Sequence, residues 1–191
     1  MKVLVHYKQQ QLEGFLNRVS ALNEQYIARS LKFEPLYLHL LKECQDFFQQ
    51  IGDSSNESEV SRQRVYYETA RKGINPQTLE KLRVGKRENT WIAAFHTLSN
   101  VTSNLQEALA KVEQTLEDTN ETLGQVVLSA LQSKLITEAD LQLAGDSSRI
   151  ASVWQKLTQQ TSLKLIERKL RLRITEHDIY ILVDKIFTKI Q

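Results

Sequence analysis

A single cysteine, Cys44, leaves no partner for an intramolecular disulfide, so covalent stapling takes no part in this fold. Two prolines and six glycines in 191 residues offer few places where a helix must stop. Apolar runs are short of the ~20 residues that span a bilayer, so no membrane span is expected. The opening residues lack the charged start and apolar run of a secretory leader. Together with the lone thiol, this puts the expected location in the cytoplasm, where the Asn-x-Ser/Thr triplets at Asn56, Asn100 and Asn120 are chance.

Chemical signatures are equally sparse. His6, His39, His96 and His177 are scattered, and none stands three or four residues from another His or Cys, so metal-ligand spacing is missing. Cys44 lies between Glu43 and Gln45 without basic neighbours to lower its pKa, and reads as a buried structural thiol. Gly-rich phosphate loops and Gly-x-Ser-x-Gly elbows do not occur. Adjacent carboxylates such as Glu117-Asp118 point about 100° apart on a helix and cannot grip one substrate. No catalytic motif is present, and no cofactor or metal is expected. An enzyme would need a site assembled from scattered residues.

What the chain does have is helical periodicity. From Trp91 to Ala130 the seam Trp91, Phe95, Leu98, Thr102, Leu105, Leu109, Val112, Leu116, Thr119, Leu123, Val126, Ala130 advances in alternating steps of four and three. Such a helix runs about 60 Å at 1.5 Å per residue, against about 40 Å for a compact globule of this length. The expected architecture is an all-α, elongated helical bundle of about six or seven helices around this one heptad-patterned helix. Thr102 and Thr119 weaken an isolated coiled coil, so the seam should pack within its own chain.

Around it, Leu12–Ile27 repeats at helical spacing, and Met1–Tyr7 reads as helix in preference to strand. Pro35 opens a second helix to Ile51, and Gly52–Ser58 reads as a polar loop and the most mobile segment. A third helix covers Val60–Lys72, capped by Gly73; Asn75-Pro76 opens a fourth to about Val84, which Gly85 stops. Leu135-Ile136-Thr137-Glu138-Ala139-Asp140-Leu141 returns as Arg173-Ile174-Thr175-Glu176-His177-Asp178-Ile179, two capped helix starts that hint at a duplicated hairpin. Ser147–Leu170 between them is helical. The last helix, Thr175–Ile190, is apolar nearly all round and must be covered, either as a central element or as a docking surface. The whole reads as a single helical domain, 1–191, with 1–87 and 88–191 as a natural subdivision.

Charge is sorted along the chain although the formal net charge is only +2. Residues 62–87 hold eight basic side chains against Glu68 and Glu80, residues 88–130 six acids against Lys111, and residues 156–173 six basic groups against Glu167. The simplest account is that the basic blocks flank and neutralise the acidic helix. A sharper one comes from Ala70-Arg71-Lys72-Gly73-Ile74-Asn75-Pro76-Gln77-Thr78-Leu79-Glu80-Lys81-Leu82-Arg83-Val84-Gly85-Lys86-Arg87. This run resembles the second half of a helix-turn-helix of the Cro repressor type, though Thr69 and Lys72 depart from its pattern. The resemblance implies a short recognition helix presenting Gln77 and Thr78, with Arg71, Lys72, Lys81, Arg83, Lys86 and Arg87 as phosphate contacts. Lys164, Arg168 and Arg171 share a second basic face.

Two functions follow from the residues. The first is a non-catalytic protein-interaction or scaffold subunit of a larger cytosolic assembly, or a homo-oligomer. Its candidate contacts are the seam and Ile179, Ile181, Leu182, Ile186, Phe187 and Ile190 on the last helix. The alternative is nucleic-acid binding through the basic segment 71–87.

Overall fold

The computed structural model describes residues 3–81, 85–141, 145 and 147–190, without the side chains of Glu138, Ser147, Ser148 and Ser162. These residues form an all-α fold: α1 (Val5–Ile27), α2 (Phe33–Gln50), α3 (Ser54–Arg71), α4 (Lys86–Gln132), α5 (Glu138–Leu141), α6 (Ser147–Thr158), α7 (Thr161–Arg173) and α8 (Glu176–Ile190). Eight helices among the described residues exceed the six or seven expected, and α4, with 47 residues, extends the heptad helix at its start. No helix among the described residues is long and apolar enough to cross a membrane.

Local chemistry explains where the elements differ from expectation. Residues 54–58 are the first turn of α3, not a loop: Asp53 is the N-cap, its carboxylate accepting the Asn56 N–H at 3.1 Å and the Asn56 Nδ2–H at 2.7 Å. α2 begins before Pro35, which sits in the first turn where its missing N–H is not needed. The expected helix over Ser147–Leu170 is interrupted at 159–160, inside the run Thr158-Gln159-Gln160-Thr161 that has no apolar residue to hold it on a core. The two Ile-Thr-Glu-x-Asp segments share a capped start, at α5 and at α8; the residues that follow α5 at 142–144 lie outside the described residues, and so does the expected duplication beyond them.

The described residues divide into two compact units, and the division falls inside α1 and α4. Gln10–Ala110 forms a central unit; the residues up to Gln9 join those from Lys111 onward in a terminal unit. In the central unit α2 packs along α3. Phe15 of α1 meets Phe47 of α2 edge-on at 5.5 Å, and the Tyr37 hydroxyl of α2 donates to Thr97 Oγ1 of α4 at 2.8 Å. Thr97 in turn donates to the Ala93 carbonyl, which satisfies a buried polar pair. Ala93 and Ala94 are buried, whereas Phe95, a seam position by sequence, is 61% exposed. Small side chains here face the bulky rings of α2 and turn Phe95 outward. From Leu98 the seam is largely as expected, with Leu105, Leu116, Leu123, Val126 and Ala130 buried. Thr119 is tolerated there because its hydroxyl donates to the Thr115 carbonyl.

Cys44 is fully buried, and burial pushes its thiol up to about 12. A disulfide exchange reagent at mildly alkaline pH should therefore leave the native protein unlabelled and modify it fully in denaturant. Rapid native labelling would contradict the packing of α2.

In the terminal unit α8 packs against α5 and α6, and α6 against α7. Ile179, Leu182, Val183, Ile186 and Phe187 all lie in its core with Leu123, Val127, Trp154 and Leu157. The last helix is thus a central element: of the six docking candidates, Ile179, Leu182, Ile186 and Phe187 are buried by their own chain, Ile181 is half-buried, and Ile190 is 39% exposed. An all-round apolar pattern is satisfied by intramolecular cover.

Candidate functional site

α3 ends where Gly73 takes φ +78, a left-handed conformation that favours glycine. The Gly73 N–H donates to the Ala70 carbonyl at 2.9 Å and the Ile74 N–H to the Thr69 carbonyl at 3.2 Å, the paired bonds of a Schellman stop. The segment that follows is not a recognition helix. Asn75 Oδ1 accepts the Gln77 N–H at 2.9 Å, the Leu79 N–H donates to the Asn75 carbonyl, Leu79 has φ +60, and Ile74 pairs with Lys81 in an isolated antiparallel bridge. The Asn75 side chain thus supplies the turn with the hydrogen bonds a helix would otherwise make. Without that helix, the described part of this segment lacks the element by which a helix-turn-helix enters a groove. Gln77, Thr78 and Lys81 are exposed on this turn, Lys72 is exposed at the end of α3, and Arg83 lies outside the described residues.

Three of the basic candidates do come together. Arg71, Lys86 and Arg87 line one open cleft of about 570 Å³ in the central unit, joined by Arg29, which sequence reasoning did not single out. Arg29 stands at φ +49 in the turn after α1. The floor is apolar: Phe33, Tyr67, Trp91 and Ala94. Phe33 anchors it, with ring centroids 5.3 Å from Trp91, 5.3 Å from Tyr37 and 5.7 Å from Tyr26. Leu31, 92% exposed, completes the rim.

Two of the four cations already have partners. Arg71 Nε lies 3.1 Å from Glu34 Oε1, and Arg29 lies 3.6 Å from Glu88. Lys86 and Arg87 form no ion pair among the described residues, although both stand in the first turn of α4. Tyr67 is 1% exposed; burial, then the nearby Glu34, holds its phenol above the usual range, against a smaller opposing pull from Arg71. The phenol makes no hydrogen bond among the described residues. The lining contains neither His nor Cys, and among the described residues no group of three His, Cys, Asp or Glu is placed to hold a metal. What this arrangement can do is hold an anion over an aromatic floor.

The second basic block takes a different role. Arg171 pairs with Glu167 at 2.8 Å and Glu176 at 2.9 Å, and Arg173 reaches Asp118 of α4 at 3.3 Å. Among the described residues that last pair is the one ion pair of the kind expected if basic segments neutralise the acidic helix; Arg71 instead meets α2. No protein-family model matches the chain, and no curated protein or solved structure is significantly similar to it.

Proposed function

We propose that this chain is a non-catalytic helical subunit of a cytosolic assembly that binds another protein through the central unit. The observation that carries this reading is the cleft: open, aromatic at its base, arginine-rich at its edge and with neither His nor Cys in its lining. Trp, Tyr, Phe and Arg are the residue types enriched at protein interfaces. Exposed Ile27, Leu31, Ile92 and Phe95 flank the contacts that Tyr26 makes with Trp91 at 5.1 Å and with Phe95 at 6.1 Å. Clustered exposed apolar side chains mark interaction sites more often than isolated ones do. The nucleic-acid reading through 71–87 is weaker, because the turn at 75–81 replaces the recognition helix and Arg71 is engaged by Glu34.

Affinity capture from the cells that encode this chain tests the reading, comparing the wild type with Leu31→Asp/Phe95→Asp. Both positions are exposed, so the variant should keep its circular dichroism and melting behaviour. A stoichiometric protein partner, retained by the wild type and lost by the variant, is the expected result; light scattering separates it from a second copy of the chain. Retention of nucleic acid alone, released by nuclease or by salt, overturns the reading.

A further inference from the structure

We infer that the partner segment seated in this cleft is acidic: an extended or helical stretch that places a carboxylate between Lys86, Arg87 and Tyr67 and an apolar side chain on the ring floor. This rests on the protein-interaction reading and specifies its chemistry.

The charge argument comes first. The cleft carries four cations against Glu34, and Arg71 and Arg29 are satisfied within the chain, which leaves Lys86 and Arg87 as the pair without an ion-pair partner among the described residues. Both sit in the first turn of α4, where the helix dipole is positive and cationic side chains are disfavoured. An incoming carboxylate relieves that repulsion and meets a complementary field. The hydrogen-bonding argument is independent. Tyr67 lines the cleft and its phenol O–H has no acceptor among the described residues, whereas Tyr37, the other phenol of this ring cluster, donates to Thr97. The Tyr67 O–H opens to the cleft and is not a sealed orphan, and a carboxylate oxygen seated there would accept a charge-assisted hydrogen bond from it. The apolar argument fixes the neighbouring residue. Partly exposed Trp91, backed by buried Phe33, presents ring surface beside exposed Leu31, which suits a Leu, Phe or Trp next to the acid.

Random dodecapeptides displayed on phage are to be selected against the full chain and, in parallel, against Lys86→Glu/Arg87→Glu; selected sequences are then synthesised and titrated against both proteins and against Tyr67→Phe. The expected winners join Asp or Glu to Leu, Phe or Trp, bind the double variant at least about tenfold more weakly, and lose about twofold to tenfold with Tyr67→Phe. Winners without acidic residues, or winners that bind all three proteins equally, overturn the acidic inference and leave the protein-interaction reading standing. A selection that yields nothing beyond what the double variant yields also overturns it. Salt-sensitive binding of single-stranded oligonucleotide in place of any peptide overturns both.

Discussion

Asp178→Ala is expected to cost about 3–5 kcal/mol of unfolding free energy, the largest effect of any single polar substitution in this protein. The side chain is fully buried near the start of α8 and accepts from five donors. These are the Val5 N–H at 3.0 Å, the His6 N–H at 3.1 Å, His6 Nδ1 at 2.9 Å, the Thr175 N–H at 3.1 Å and the Thr175 hydroxyl at 2.8 Å. A carboxylate only accepts, so the His6 proton is on Nδ1, and Nε2 faces Lys185 Nζ at 3.4 Å. Alanine at 178 strands three backbone N–H groups and frees the start of α1 from α8. Urea unfolding measures the cost, and hydrogen exchange at the Val5 and His6 amides locates it. A loss below about 1 kcal/mol would show that these bonds do not hold the terminal unit.

The same residue gives a pH dependence of definite sign. Burial alone raises the Asp178 carboxyl, but the bonds from His6, Val5 and Thr175 outweigh it and hold the group well below the usual carboxylate range. A carboxyl depressed in the folded state stabilises above its unfolded pKa, about 3.9, and loses that contribution as the pH falls toward the folded value. The stability gap between wild type and Asp178→Ala should therefore be constant in neutral solution and narrow below about pH 4.

These partners show what was legible in the sequence and what was not. Thr175 and Asp178 stand three residues apart, so the reciprocal cap at the start of α8 is a local pattern; Thr137 and Asp140 repeat its carboxylate half, the Thr137 N–H donating to Asp140 at 2.8 Å while the Asp140 N–H donates to the Thr137 carbonyl. Ile174 and Ile179 are both buried, as are Ile136 and Leu141, so each cap carries the apolar pair that flanks such a box. Val5 and His6 contact Asp178 across 173 and 172 residues, and no periodicity reports that. Local signals were also ambiguous where two structures share them. Asn75-Pro76 can open a helix or a turn, and the Asn75 side chain decided for the turn. Asp53 followed by Asn56 was a readable cap inside a polar stretch that otherwise resembles a loop. In the cleft, Arg71, Lys86 and Arg87 were visible as a basic run, but Arg29 comes from the turn after α1, Phe33 from α2 and Tyr67 from α3 outside that run, and only packing brings them together.

Phe33 is where packing and site coincide, and Phe33→Ala is expected to cost about 3–5 kcal/mol while removing the centre of the cleft floor. The ring is 2% exposed and touches Tyr26, Tyr37 and Trp91, rings carried by α1, α2 and α4. Its loss leaves a cavity among aromatic neighbours that are too large to close it without leaving their rotamers. Phe33→Leu keeps most of the volume and should cost less than about 1.5 kcal/mol. Trp91 reports the change directly once Trp154 is replaced by Phe, a substitution that breaks no hydrogen bond among the described residues, since the buried Trp154 indole N–H has no partner there. In that background, urea unfolding gives the stability of each variant, and Trp91 emission shows whether the floor stays shielded from water. If Phe33→Ala unfolds like the wild type and Trp91 emission is unmoved, the rings are not a packed floor. A preorganised apolar base for a partner side chain would then have no physical support, since an interface anchor needs a pocket held rigid before the partner arrives.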